Sequence, residues 1–234
     1  MLDLIWLIPL LPIVGVLING FFGRKMTLKA VGLVACTVVG LSLLLTAGAV
    51  WQLAQLDPGA RAHEVSLMTW VPLGSVNGNE IIIDWGFRLD ALSAVLALVV
   101  TVVGFLIHVY SVGYMAHEAD YARFFAYLNL FMAMMLMLTL GNNLLVLFVG
   151  WEGVGLCSYL LIGFWYGKPS ARAAMIKAFM TTRVGDVFML LGIAYLYSAT
   201  GTLNYREIFY NEEVLHQLAT TSTGILGLSV AGLI

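Results

Sequence analysis

The chain has 234 residues, 61% of them hydrophobic and 10% charged, with a mean hydropathy of +0.96. A soluble domain could not bury that much apolar surface, so lipid must be the solvent. The net charge of −2, with no basic patch, excludes nucleic acid as a partner, and only two cysteines, Cys36 and Cys157, occur. They lie in separate apolar runs and cannot supply the four thiolates of an iron–sulfur cluster, so no redox chemistry, metal site or bound cofactor is expected on this chain. The absence of a phosphate-binding loop disfavours an ATP-driven pump.

The N-terminus lacks a basic leading region and its positive charges follow the apolar run, which reads as a retained first helix rather than a signal peptide. At about 20 apolar residues per crossing, spans are expected at 4–22, 30–56, 92–115, 124–140, 144–166 and 171–197. A seventh apolar run begins near Thr221 and reaches Ile234. That run is too short to cross, so the chain reads as the N-terminal part of a longer protein. The expected fold is an all-α, polytopic membrane bundle of six complete spans and the start of a seventh, in one transmembrane domain.

The connections after spans one, three and five carry Arg24, Lys25, Lys29, Arg123, Lys168 and Arg172. The other set carries only Arg61, Arg88 and Arg206 among several acids. The positive-inside bias therefore places the N-terminus outside and the 165–172 loop in the cytoplasm, as expected for a multi-pass protein of a bacterial inner membrane or an equivalent energy-converting membrane. In the long outer connection, 57–88, Val65, Leu67 and Thr69 alternate before Asn77-Gly78, and Ile81, Ile83 and Trp85 alternate after it. That pattern predicts a β-hairpin lying over the outer face as a tie between helices, its turn two residues or longer. Trp6, Tyr114, Trp165 and Tyr166 fit interfacial aromatic belts.

Glu152 is the only charged residue between Arg123 and Lys168. A carboxylate at the bilayer centre costs about 2.5–3.5 kcal/mol on insertion scales, and intramembrane ions usually mark ion or proton paths. The bland alternative is a protonated acid hydrogen-bonded to a neighbour. The sixth span carries Lys177, Arg183 and Asp186. Asp186 falls about 22 Å along the helix, near its middle. Arg183 and Asp186, three apart, share a face and can pair, either as a structural ion pair or as part of a path. Lys177 lies about 9 Å nearer the cytoplasm and points partly elsewhere, either snorkelling or taking part in transfer.

A buried carboxylate has its pKa raised by desolvation, and a cation within about 4–6 Å lowers it again. Moving the cation thus switches the acid between holding and releasing a proton. His108 is a candidate relay because histidine titrates near neutrality, and equally a helix-packing histidine at the membrane edge. Met132, Met134, Met135 and Met137 lack helical spacing and read as packing and lipid contacts. Gly150, Gly153 and Gly155 either allow close helix approach beside Glu152 or merely thin the helix.

WEGVGLCSYLLIGFWY (151–166) followed by AAMIKAFMTTRVGD (173–186) resembles subunit L of respiratory complex I, the NADH–quinone oxidoreductase. FRLDALSAVL (87–96), HVYSVGYM (108–115) and YARFFAYLNLF (121–131) are similar to the same family in the same order. The resemblance implies an antiporter-like membrane subunit that translocates protons while other subunits, holding FMN, iron–sulfur clusters and quinone, perform the redox steps. The family fold has two inverted five-helix repeats, the first beginning within 116–234 here, and neighbouring antiporter-like subunits as partners. Glu152 matches the family's essential glutamate, Arg183 and Asp186 the arginine and acid of span six, and Lys177 a lysine of the family's AAMKAF-like run. The implied partner of Glu152 is a lysine of a later, broken helix that this sequence does not reach. The rival within the same fold is the large subunit of a multisubunit sodium/proton antiporter, and a purely structural membrane scaffold is the remaining class.

Overall fold

A computed structural model describes residues 1–220 apart from 58, 60, 77 and 78. The run beginning near Thr221 and the Asn77-Gly78 turn lie outside the described residues. Six helices are long and apolar enough to cross a membrane. The first, Leu2–Lys25, is irregular: helix α1 (Leu7–Leu17) passes into a π-helical turn at Ile18–Phe22, with short 3-10 turns at either end. Pro12 inside α1 removes one backbone donor. Helix α2 (Leu28–Ala54) starts where the Thr27 hydroxyl accepts from the Ala30 N–H.

Strands β1 (Ala62–Val76) and β2 (Asn79–Asp90) pair antiparallel from Ala62–Asp90 to Val76–Asn79. The expected hairpin is therefore present, but simple alternation does not describe its faces. Register shifts at Ser66/Met68, Thr69/Val71 and Pro72/Gly74 interrupt the two-residue period. Leu67 and Met68 are exposed, whereas Ile83, Phe87 and Leu89 carry the burial. The tie to the helices is at the hairpin's base. The Asn142 amide donates to Glu64 Oε1 at 2.7 Å, Asn143 Nδ2 to the Asp84 carbonyl at 2.8 Å, and Asn204 Nδ2 to Glu64 at 3.1 Å.

Helix α3 (Ala91–Tyr114) begins at a capping box in which Asp90 accepts from the Ser93 N–H and the Ser93 hydroxyl accepts from the Asp90 N–H. Helix α4 (Tyr121–Leu140) packs against α1, α2, α3 and helix α5 (Leu144–Ile162), and is the centre of the bundle. Ile5, Ile8, Val39, Leu136, Leu140 and Val146 form the core around it. The Asn143 side chain caps α5 by accepting from the Leu145 and Val146 N–H groups. Helix α5 stops at Gly163, short of the expected 166, because 163–167 turn toward helix α6 (Pro169–Thr200). Pro169 opens α6, and Gly201, at φ 71°, closes it in a conformation that costs a side-chain-bearing residue about 1 kcal/mol. Two short helices unforeseen from the sequence follow, α7 (Tyr205–Tyr210) and α8 (Glu212–Thr220).

At the opposite end from the hairpin, the Arg123 guanidinium lies 4.9 Å and 5.1 Å from the Phe164 and Tyr166 ring centres, and Lys168 Nζ 4.8 Å from that of Trp165. Basic heads over aromatic rings are the arrangement expected at a headgroup level.

The α4–α5 approach depends on glycine. A Cβ at Gly150 would lie 2.5 Å from the Leu138 backbone nitrogen, and one at Gly153 2.3 Å from the Met134 sulfur. Gly155 meets nothing within 4 Å and plays no part in that approach. Gly150→Leu should therefore push α5 off α4 and cost about 1–3 kcal/mol, seen as a lowered Tm in detergent, whereas Gly155→Leu should leave Tm near that of the parent.

The Asp90 cap makes a pH prediction. Burial raises its pKa, but the hydrogen bonds from Ser93 and the nearby Arg88 charge outweigh that and leave it below the ordinary value. Its folded value being depressed, the cap's contribution is present above the unfolded value, about 3.9, and is lost as pH falls through the folded value. Asp90→Ala should cost about 1 kcal/mol at neutral pH, with the difference from the parent shrinking once pH drops below about 4.

Candidate functional site: an arginine shared by two acids

Helices α5 and α6 pack side by side and bring four polar side chains together. Glu152 and Trp151 come from α5, and Arg183 and Asp186 from α6. The Arg183 guanidinium pairs with the Glu152 carboxylate across the helix interface. The same nitrogen, Nη1, lies 3.5 Å from Asp186 Oδ2, so the expected pairing within α6 is present. Asp186 Oδ1 also accepts a hydrogen bond from the Trp151 indole N–H at 2.7 Å. The guanidinium sits 4.6 Å from the centre of the Phe179 ring.

Burial differs across the cluster. The Asp186 side chain is 7% exposed, Glu152 25% and Arg183 36%. Asp186 is thus the enclosed member, and its two oxygens each face a donor. With both acids ionised, one guanidinium faces two carboxylates and one negative charge is uncompensated.

Two clefts flank the cluster. One, of about 560 Å³, opens toward the hairpin end and is lined by Arg88, Asp90, Ser93, Trp151, Met189 and Tyr205 among others. Burial pushes the Tyr205 phenol well above its ordinary range, which the nearby Arg88 charge only partly offsets. The other, of about 330 Å³, is lined by Met135, Trp151, Ser158, Tyr159, Thr182 and Asp186 among others. The Trp151 ring borders both.

The sequence-predicted residues do not all converge. Glu152, Arg183 and Asp186 are in contact, but Lys177 is exposed and takes part in no ion pair among the described residues. His108 belongs to the α3–α4 interface, on another flank of α4. It is fully buried, as a helix-packing histidine would be: its Nδ1 lies 2.7 Å from the Gly104 carbonyl, its Nε2 2.9 Å from Asn129 Oδ1. Met135 lines both the small cleft reaching His108 and the cleft reaching Asp186. Among the described residues no group of three or more His, Cys, Asp or Glu could hold a metal ion. Cys36 and Cys157 are free thiols.

Sequence reasoning missed two contacts. It did not foresee the ion pair between Glu152 and Arg183; the lysine of a later helix that the resemblance implies for Glu152 lies outside the described residues. It also passed over Trp151, whose position beside Glu152 in the run was the available signal.

Comparison with known proteins agrees with this architecture. Residues 141–234 match the family model described as NADH:quinone oxidoreductase/Mrp antiporter, TM, and residues 70–125 the model for the complex I chain 5 N-terminus. The chain is 42% identical over 224 residues to NADH-quinone oxidoreductase subunit L of Mycobacterium tuberculosis, covering 95% of this chain and 34% of that protein. It is 43% identical over 207 residues to subunit L of Escherichia coli, covering 88% and 33%. With NADH-ubiquinone oxidoreductase chain 5 of Talaromyces marneffei it is 36% identical over 234 residues, covering 94% and 34%. The chain thus spans about a third of the length of these curated relatives. Two solved structures share the fold. The archaeal membrane-bound sulfane sulfur reductase gives a TM-score of 0.74 at 18% identity, covering 98% of this chain and 43% of the other. The Mrp complex of Dietzia sp. DQ12-45-1b gives 0.75 at 21% identity, covering 97% and 23%. Six candidate spans, the fold and the sequence matches agree: the chain is a multi-pass membrane protein that belongs to the family of antiporter-like membrane subunits of NADH-quinone oxidoreductase, alongside subunit L and chain 5.

Proposed function

We propose that the chain is part of a proton-translocating subunit of NADH-quinone oxidoreductase, coupling quinone reduction elsewhere in the complex to proton movement through its own helices. The observation that carries this reading is the single guanidinium of Arg183 placed between Glu152 and Asp186. In this reading Glu152 is the acid that exchanges a proton. When Arg183 lies on Glu152, it favours the carboxylate and the proton leaves. When Arg183 lies on Asp186, Glu152 is left desolvated and uncompensated, and takes a proton up. Asp186 serves as the alternative seat of the cation.

The magnitudes allow it. At an effective dielectric of about 20, a charge pair at 4 Å is worth about 4 kcal/mol. Moving one charge against 100 mV costs about 2.3 kcal/mol. A displaced cation can therefore change the proton affinity of its former partner by more than the membrane potential opposes.

Lys177, about 9 Å from Arg183 along α6, is assigned as a proton donor or acceptor at the entrance from the cytoplasm, and His108 as a secondary relay across α4. With this orientation the N-terminus and the hairpin face outside, and the Arg123–Lys168 end faces the cytoplasm of a bacterial inner membrane or its equivalent. Redox cofactors, FMN, iron–sulfur clusters and quinone, reside on other subunits. The partners are the bilayer and neighbouring antiporter-like subunits. Segment 116–234 begins the first antiporter-like repeat, and 57–88 is an extracytoplasmic clamp.

The test uses the full-length subunit in the intact complex in proteoliposomes. Glu152→Gln should retain NADH:quinone reductase activity while protons moved per NADH fall; an unchanged ratio would sink the proposal. Sodium-dependent growth rescue of an antiporter-deficient host by the full gene would instead favour the sodium/proton antiporter.

A further inference from the structure

Trp151 is the one member of the cluster that carries no charge, and its placement gives it a distinct task. Its indole N–H is a donor only and reaches Asp186 Oδ1 at 2.7 Å from the neighbouring helix. The other Asp186 oxygen is 3.5 Å from Arg183, which is engaged with Glu152. Asp186 is 7% exposed in its side chain, so it has little access to water that could replace a lost donor. When Arg183 binds Glu152, a buried carboxylate at Asp186 would be left with weak compensation, a state that is expensive in an apolar interior. The indole supplies the missing donor without adding a charge.

We propose that Trp151 is a positioning residue that sets the division of Arg183 between Glu152 and Asp186. By donating to Asp186 it lowers that acid's demand for the guanidinium and leaves Arg183 to Glu152. The inference rests on the proton-exchange reading of Glu152 and extends it to the device that biases the exchange. The ring's position supports the assignment, because Trp151 borders both the cleft containing Asp186 and the cleft running to Arg88, Asp90 and Tyr205. A rotation of the indole would break the Asp186 bond and reshape both clefts in one movement. The charged groups around Asp186 on the packed elements are Arg183 on its own helix and Glu152 on α5; Met135 and Leu138 on α4 bring none.

Removing the indole donor from a buried carboxylate should redistribute Arg183 toward Asp186 by roughly tenfold. The experiment compares Trp151→Phe, Trp151→His and Glu152→Gln in the intact complex in proteoliposomes. Readouts are protons per NADH, quinone reductase rate and the indole N–H marker in the ultraviolet resonance Raman spectrum, resting and during turnover. The expected result is that W151F keeps the reductase rate and lowers protons per NADH by about twofold or more. W151H, which retains a ring N–H, restores much of the ratio. The Trp151 marker, assigned by its loss in either variant, weakens during turnover. A W151F complex that pumps normally, or a marker unchanged by turnover, overturns the assignment. Should W151F not assemble, W151H must assemble and pump; a W151H complex that assembles but does not pump overturns it equally. If E152Q also leaves the ratio unchanged, the proton-exchange reading itself has failed; if only E152Q lowers it, the failure is confined to Trp151.

Discussion

One guanidinium shared by two carboxylates, at the packing surface of two membrane-length helices, is the constraint on which the rest of this structure turns. Ions in hydrocarbon are tolerated only where they are paired and hydrogen-bonded. Arg183 can meet both acids only if α5 and α6 lie side by side at a fixed height. Helix α5 is in turn seated against α4 through Gly150 and Gly153, where any side chain would collide with Leu138 or Met134. The α4–α5 turn is held from above by the hairpin base, through Glu64, Asp84, Asn142 and Asn143. The two strands are thus tied to the turn from which α5, the helix of Glu152, starts.

Much of this scaffold was legible in the sequence. Six apolar stretches mark six helices, because in lipid every backbone group must be satisfied within its own segment and length alone separates the spans. Alternation about Asn77-Gly78 marked the hairpin, although its buried face could not be read once three register shifts interrupted the period. The boundary of α5 was misplaced because aromatic residues at 164–166 continue the apolar run past Gly163, where the backbone has already turned. Helices α7 and α8 are short and polar enough to leave no span-like signal.

The site was legible in part. Charge scarcity singled out Glu152, and helical spacing paired Arg183 with Asp186. The contact between Glu152 and Arg183 joins residues 31 apart on different helices, and no periodicity encodes it. Trp151 was hidden for a related reason. A tryptophan in an apolar run reads as packing until its N–H is seen to have a buried acceptor. His108 shows the converse: a titratable residue inside a span that the fold seats between Gly104 and Asn129, apart from the charged cluster.

In the proposed function Glu152 and Asp186 exchange a shared cation, and with it a proton. Infrared difference spectra of the intact complex, resting against turning over, would follow that exchange, with carboxyl bands assigned through Glu152→Gln and Asp186→Asn. The expected result is a Glu152 band that alternates between protonated and ionised forms while Asp186 changes its hydrogen bonding in step. A Glu152 carboxyl that keeps one protonation state through turnover would contradict it, and would leave the cluster as a structural ion pair.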